Sequence, residues 1–201
     1  MCGIFGIVSQ KIPHRKQLET LVRRSERRGK DSSGLVKVNE GKCVILRSDQ
    51  RLTKLLRTFS IGRSRLVFGH SRLVTNGTKD NQPVVRDGVV VVHNGIVVNH
   101  SEIWPRLKEE PRLGVDSEVI AAIIARHLSQ KGELSELADK VFELCEGVIS
   151  CLCLLPAQAK LLAFSNNGSL HEGWIDGDVF FASEAATCLL YTSDAADDDH
   201  C

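Results

Sequence analysis

The second residue of the chain is a cysteine, and it opens the apolar run MCGIFGIV. Removal of Met1 would leave Cys2 with a free α-amine, so that one residue would carry both a thiol nucleophile and a base. An α-amine with a pKa of about 7.7 to 8.0 can accept the proton of a thiol whose pKa is near ~8.5. This combination suits acyl transfer through a thioester. The alternative is a small buried cysteine in a first strand, because free cysteine is among the most buried residue types.

The composition is that of an ordinary soluble chain with enough residues for one full core: 201 residues, 42% of them hydrophobic and 25% charged. No stretch approaches the ~20 apolar residues of a membrane span, and no signal peptide pattern is present. We therefore expect a cytoplasmic protein with no membrane partner. The seven cysteines are an odd number, which favours reduced thiols. Cys151 and Cys153 have no second pair at ligand spacing, so no metal and no cofactor are expected.

The charges are distributed unevenly. Residues 1–86 carry 19 Lys and Arg against 6 Asp and Glu, whereas the remainder carries 7 against 19. We expect the two parts to complement each other. A nucleic-acid-binding face is the alternative, but the basic residues are not interleaved with stacking aromatic residues, so no nucleic-acid partner is predicted.

The elements that must position these groups are predicted from the hydrophobic period, and they indicate an α+β fold with mainly antiparallel strands. Strands are predicted over 2–9, 34–39, 42–47, 65–73, 148–155, 160–165 and 179–182. Helices are predicted over 16–28, 101–109, 116–129 and 133–145. Gly29 is expected to stop the first helix. The valine-rich run 88–100 is predicted to form two strands around Asn94-Gly95, since Asn-Gly is the strongest short hairpin signal.

Six motifs follow one another along the chain. They are MCGIFGIV at the start, RRGKDSSG (27–34), GHSRLVTNG (69–77), NQP (81–83), HNGIVVNH (93–100) and VDSEV (115–119). In order and spacing they resemble the glutaminase domain of class II glutamine amidotransferases, which belong to the N-terminal-nucleophile hydrolases. The resemblance implies a four-layer αββα sandwich over residues 2–187, incomplete at its C-terminus. It also implies hydrolysis of glutamine to glutamate and ammonia, the ammonia being passed to a second active site.

The resemblance implies catalytic roles for three residues. Cys2 matches the nucleophile. The side-chain amide of Asn94 and the backbone N–H of Gly95 match the pair that holds the oxyanion, which needs donors about 2.7 to 3.1 Å away. A plain tight turn at Asn94-Gly95 is the alternative reading, and both can be true because a tight turn also exposes backbone donors.

The resemblance implies substrate contacts as well. Arg72 matches the partner of the glutamine α-carboxylate and Asp116 the partner of its α-ammonium, although either residue alone would be taken for a surface salt bridge. His70 matches no acid-base role and is interpreted as structural. The segment that touches bound glutamine and closes over it is matched by Thr75, Asn76 and Gly77.

Two positions depart from the glucosamine-6-phosphate synthase branch of the family. Leu73 stands where that branch usually has tryptophan, and Asn76 stands where it usually has histidine. In that branch the tryptophan helps to gate the passage of ammonia. Its replacement by Leu73 therefore puts both the assignment to this branch and the gating of ammonia in question. HNGIVVNH and VDSEV still favour this branch over the asparagine synthetase and phosphoribosyl amidotransferase branches.

The end of the chain departs from the family pattern more sharply. The run CLLYTSDAADDD looks like translated sequencing adaptor, so residues 188–201 are expected to be a non-native tail. The alternative is a native acidic, disordered terminus. On the first interpretation, the acceptor-side domain is missing from this sequence.

The sequence therefore predicts a glutaminase domain whose intact enzyme forms an amino sugar phosphate from fructose 6-phosphate. The partners expected are L-glutamine, a C-terminal synthase domain of the phosphosugar isomerase type, and a second copy in a homodimer of the intact enzyme. Two rivals remain at this point. A different N-terminal-nucleophile amidohydrolase would lack the pair Arg72 and Asp116, and a non-catalytic domain with the same fold would have lost one of the site residues.

Overall fold

The computed structural model describes residues 2–73 and 81–188. Its strands are β1 (Gly3–Val8), β2 (Ser32–Asn39), β3 (Lys42–Ser48), β4 (Leu66–Arg72), β5 (Val84–Arg86), β6 (Val89–Val97), β7 (Gly147–Leu155), β8 (Lys160–Ser165), β9 (His171–Ile175) and β10 (Asp178–Ala182). Its helices are α1 (Arg15–Glu26), α2 (Leu52–Thr58), α3 (His100–Leu107), α4 (Ser117–Ser129) and α5 (Leu137–Leu144), with 3-10 turns at Leu134–Glu136 and Pro156–Gln158.

The strands form two antiparallel sheets. The larger sheet has the order β3-β2-β4-β1-β10-β9, and the smaller sheet has the order β5-β6-β7-β8. The first strand of the chain is therefore an inner strand, paired with β4 on one side and with β10 on the other.

The side-chain alternation along the strands explains the layers. Phe5 faces α1 and α2 in a core with Leu21, whereas the neighbouring Ile4 faces the smaller sheet in a core with Leu152. On the outer side of the smaller sheet, a third core contains Ile120 and the other apolar residues of α3, α4 and α5. The order of layers is helix, sheet, sheet, helix, so the predicted four-layer αββα sandwich is confirmed.

The predicted turn at Asn94-Gly95 is wrong. β6 continues through both residues, which pair with Ser150 and Ile149 of β7. The hairpin turn lies earlier, at Asp87-Gly88, where both residues have positive φ (47° and 84°) and connect β5 to β6. Asp-Gly is also a strong hairpin dipeptide. The valine run on both sides of Asn94 forms one buried strand.

The first helix ends earlier than predicted, and for another reason. α1 ends at Glu26 with Arg27 as a right-handed cap, so Gly29 does not stop it. Gly29 is needed for close packing, because a Cβ there would overlap the backbone of Arg72 and Leu73. The helix predicted over 133–145 begins as a 3-10 turn. The helix α2 and the strands β5 and β9 were not predicted.

The helices and the end of the described chain bear on two further predictions. Among the described residues, the helices are too short or too polar to cross a membrane. Residues 189–201 of the predicted tail lie outside the described residues. Its first residue, Cys188, is buried, and its thiol faces the carbonyl oxygen of His171 at 3.6 Å.

His70 lies on β4 between the two sheets and is almost fully buried. Its Nε2 atom has no hydrogen-bond partner among the described residues. Burial lowers the pKa of His70 to about 3, and the neighbouring His93 and Arg72 act in the same direction. The imidazole is therefore neutral in the folded protein at physiological pH.

This burial predicts a pH-dependent stability. The unfolded chain protonates His70 near pH 6.5 but the folded protein only near pH 3, so the stabilisation is complete above pH 6.5 and is lost as the pH falls toward 3. By pH 5 the loss from this residue is about 2 kcal/mol. Urea unfolding from pH 8 to pH 5 measures it. His70→Gln should show a smaller loss over that range while remaining parallel to wild type from pH 7 to 8, and equal losses in both proteins would contradict the prediction.

Candidate active site

The nucleophile candidate lies where two inner strands end. Gly3 of β1 pairs with Ser71 of β4, which places Cys2 beside the chain that leaves β4. The thiol of Cys2 faces the carbonyl oxygen of Leu73 at 3.9 Å. Arg28 donates from Nε to the carbonyl oxygen of Cys2 at 2.8 Å. Sequence reasoning gave Arg28 no role, although its motif RRGKDSSG was noted.

The surroundings of Cys2 decide its protonation state. Burial raises the pKa of the thiol, and this outweighs a backbone hydrogen bond at Leu73 and the positive charge of Arg72, which lower it. The thiol is therefore protonated at neutral pH. A nucleophilic role requires a base at the same place, and an α-amine on Cys2 itself is such a base.

A cavity of about 280 Å³ opens at Cys2. Four predicted site residues from distant parts of the sequence line it, namely Cys2, Arg72, Gly95 and Asp116. It is close to the lower end of the ~300 to 1,000 Å³ typical of ligand sites, which suits a molecule the size of an amino acid. Asn94 is buried at the same point of β6 but is not among the described lining residues. The predicted Thr75, Asn76 and Gly77 lie outside the described residues.

Glycine is required at position 95 of the cavity wall. Gly95 has a φ of 152°, and a Cβ there would overlap the carbonyl oxygen of Val148 on the neighbouring strand. Only glycine adopts such a conformation without strain. The backbone of β6 thus reaches the cavity directly at this point.

Three polar residues that sequence reasoning missed brace this part of β6. Gln82 accepts the His93 N–H through Oε1 (2.5 Å) and donates from Nε2 to the His93 carbonyl (2.9 Å). The Nε2 of Gln82 is also 3.3 Å from Ser117 Oγ. The only sequence signals were the motifs NQP, HNGIVVNH and VDSEV in which these residues occur.

The imidazole of His93 is neutral and has a defined tautomer. Burial lowers its pKa, which the nearby Asp116 only partly offsets. Its Nε2 lies 3.2 Å from the Val148 carbonyl, an acceptor, so Nε2 carries the proton. Its Nδ1 then accepts from Ser117 Oγ at 3.0 Å. This chain of bonds connects the glutamine side chain of position 82 to the first turn of α4.

Asp116 lies immediately before α4 and faces the cavity. Its Oδ2 accepts the Val97 N–H at 2.7 Å, which fixes the carboxylate against the end of β6. Arg72 is mostly buried at the end of β4. The cavity therefore holds one basic and one acidic side chain, as recognition of a zwitterionic ligand requires.

The fold is shared with a solved structure. Glutamine phosphoribosylpyrophosphate amidotransferase from B. subtilis, complexed with ADP and GMP, aligns with a TM-score of 0.77 at 21% identity, over 92% of this chain and 42% of that one. The two sheets and their helices therefore share the fold of that structure.

Sequence comparisons define the family. The profile described as "Glutamine amidotransferase domain" matches residues 70–190. The isomerizing glutamine–fructose-6-phosphate aminotransferase of Mesorhizobium japonicum is 30% identical over 96% of this chain, and that of Aquifex aeolicus is likewise 30% identical over 96%. The chain belongs to the glutamine amidotransferase domain family, as the motifs predicted. It spans about a third of these relatives, 33% and 34% of their lengths.

The geometry at position 95 gives a prediction. Gly95→Ala tests the predicted oxyanion role of the Gly95 N–H: it should lower glutaminase turnover by at least about 10²-fold, because the new Cβ forces β6 away from Val148 and displaces that donor. Steady-state kinetics with circular dichroism checks this. Gly88→Asn is the matched control, since Gly88 also has positive φ (84°) but open space around it. A folded, fully active Gly95→Ala protein would refute the assignment.

Proposed function

We propose that this domain hydrolyses L-glutamine to glutamate and ammonia, with Cys2 as an N-terminal nucleophile. The observation that carries the proposal is that Cys2, Arg72, Gly95 and Asp116 line one small cavity although they are far apart in sequence. Membership of the glutamine amidotransferase domain family supports the same reaction. The paired opposite charges of Arg72 and Asp116 argue against an amidohydrolase for a different, uncharged amide.

The reaction begins with transfer of the thiol proton of Cys2 to its α-amine. The thiolate attacks the γ-carboxamide carbon, and the negative charge that develops on oxygen is stabilised by the Asn94 side chain and the Gly95 N–H. The protonated α-amine of Cys2 then gives its proton to the γ-nitrogen of glutamine. The C–N bond breaks, which releases ammonia and leaves a thioester on Cys2. Water, deprotonated by the amine, attacks the thioester and releases glutamate with the thiol restored.

We propose that the substrate is recognised through the two charged groups on its α-carbon. Arg72 pairs with the α-carboxylate and Asp116 with the α-ammonium. A mostly buried Arg72 makes its ion pair with substrate stronger than an exposed pair would be, because less water competes with it.

For the ammonia acceptor, we propose fructose 6-phosphate, bound by a synthase domain outside this chain in a homodimeric enzyme. The support is that the relatives covering 96% of the chain are named glutamine–fructose-6-phosphate aminotransferases. An acceptor of the phosphoribosyl type is the second candidate, favoured by the structural similarity at 21% identity. Product analysis of the full-length protein with each acceptor separates them. We also propose a cytoplasmic location, where the buried Cys145, Cys151 and Cys153 stay reduced.

The nucleophile assignment predicts a dependence on Met1 removal and on one thiol. Cys2→Ala should abolish glutamine hydrolysis, whereas Cys43→Ala and Cys145→Ala should retain it, since neither of these thiols is among the described residues that line the cavity at Cys2. A glutamine-analogue diazo-ketone should label Cys2 alone by peptide mass spectrometry. Full activity in protein whose intact mass still includes Met1 would exclude the α-amine as base.

The recognition roles predict different kinetic defects. Asp116→Asn keeps an oxygen for the Val97 N–H but removes the charge, so it should raise the KM for glutamine, with a binding loss of about 2 to 4 kcal/mol for a desolvated pair. Arg72→Ala should do the same. Asn94→Ala should instead lower kcat by about 10² to 10³. Steady-state kinetics on the three variants tests this, and the reverse pattern would contradict the roles.

A further inference from the structure

A buried ion pair lies behind the cavity wall, outside the proposed catalytic machinery. Arg86 at the end of β5 is 2% exposed, and Glu118 in the first turn of α4 is 1% exposed. The guanidinium Nη1 of Arg86 donates to Glu118 Oε1 at 2.5 Å. A buried pair of this kind contributes little net stability, because desolvation offsets most of the attraction. Its presence is better explained by what it holds in place.

Both side chains bind the backbone of one connection, residues 109–116, which we call the 109–116 segment. The Glu118 carboxylate accepts the N–H groups of Arg112 (3.0 Å) and Leu113 (2.8 Å). Arg86 donates from Nη1 to the carbonyl of Glu110 at 3.1 Å and from Nη2 to the carboxylate of Glu109 at 2.5 Å. The segment contains no helix or strand of its own between α3 and α4.

The segment has empty space on two sides, although Leu113 and Val115 pack against the core formed by α3, α4 and α5. Gly114 and Val115 line the cavity at Cys2, and they also line a second cavity of about 370 Å³ together with Trp104 of α3. Arg86 is itself fixed on Trp104, with its guanidinium carbon 4.8 Å from the ring centroid. The polar contacts therefore anchor a wall that separates two cavities.

We infer that Arg86 and Glu118 are positioning residues for the ammonium end of the substrate. They set the course of the 109–116 segment, whose last residue, Asp116, faces the cavity and is the proposed ammonium partner. Cys2 directly precedes β1 and Gly95 belongs to β6, so both are held by strands outside the segment and the chemical step does not depend on it. This inference rests on the proposed glutaminase function and adds the device that tunes its substrate affinity.

The double variant Arg86→Met/Glu118→Leu tests the inference, because it removes both charges and leaves neither buried alone. The KM for glutamine should rise by about tenfold, which corresponds to about 1.4 kcal/mol, with little change in kcat. For 4-carbamoylbutanoate, which is glutamine without its α-amino group, kcat/KM should be the same in variant and wild type. Glu118→Gln keeps one of the two acceptor oxygens of the carboxylate, so it should give an intermediate KM for glutamine.

The matched control is Lys140→Met/Glu143→Leu, which removes an exposed ion pair on α5. This control should leave the kinetic constants for both substrates unchanged. A wild-type KM for glutamine in the folded double variant would overturn the inference, as would an equal defect with both substrates. A wild-type protein that hydrolyses no glutamine would refute the proposed function instead. Hydrogen exchange then decides the inference by itself: the Arg112 and Leu113 amides must lose protection in the double variant, and unchanged protection would overturn it.

Discussion

The site depends on one constraint, that the strand following Cys2, the proposed nucleophile, is an inner strand of the larger sheet. β1 is held by β4 on one side and by β10, from the far end of the described chain, on the other. Cys2 can therefore be placed only after both neighbours have paired with β1. The position of the thiol is fixed by backbone hydrogen bonds, and Arg28 adds a further bond to the Cys2 carbonyl. Catalytic geometry and sheet formation are thus one event.

Close backbone approaches connect the rest of the site to this strand. A side chain at Gly29 would push away the Arg72–Leu73 backbone, and one at Gly34 would overlap the Gln82 carbonyl. Gln82 in turn binds both backbone groups of His93, and His93 binds Ser117 beside Asp116. These motifs therefore contribute glycines or polar side chains that allow two segments to touch.

The apolar pattern predicted most elements and the α+β class, and the six motifs in order predicted the family and, through it, the four layers. It failed where local and tertiary preferences compete. Asn94-Gly95 favours a turn locally, yet pairing with β7 keeps β6 extended there. The helix α2 has only seven residues and relies on packing against α1. Gln82, His93, Arg86 and Glu118 could not be predicted as contacts, since long-range pairing of buried polar groups leaves no periodic signal.

The raised pKa of Cys2 also bears on the chemical durability of the protein. Oxidation to sulfenic acid and reaction with passing electrophiles both require the thiolate. Burial keeps the resting thiol protonated, so an unoccupied site reacts slowly with peroxide and other oxidants. In the proposed reaction the reactive thiolate forms only when the α-amine of Cys2 accepts the thiol proton beside a bound amide. In the proposed mechanism Cys2 must remain a free thiol for the lifetime of the protein. Its partial burial protects it from oxidation, and the same burial makes a neighbouring base necessary.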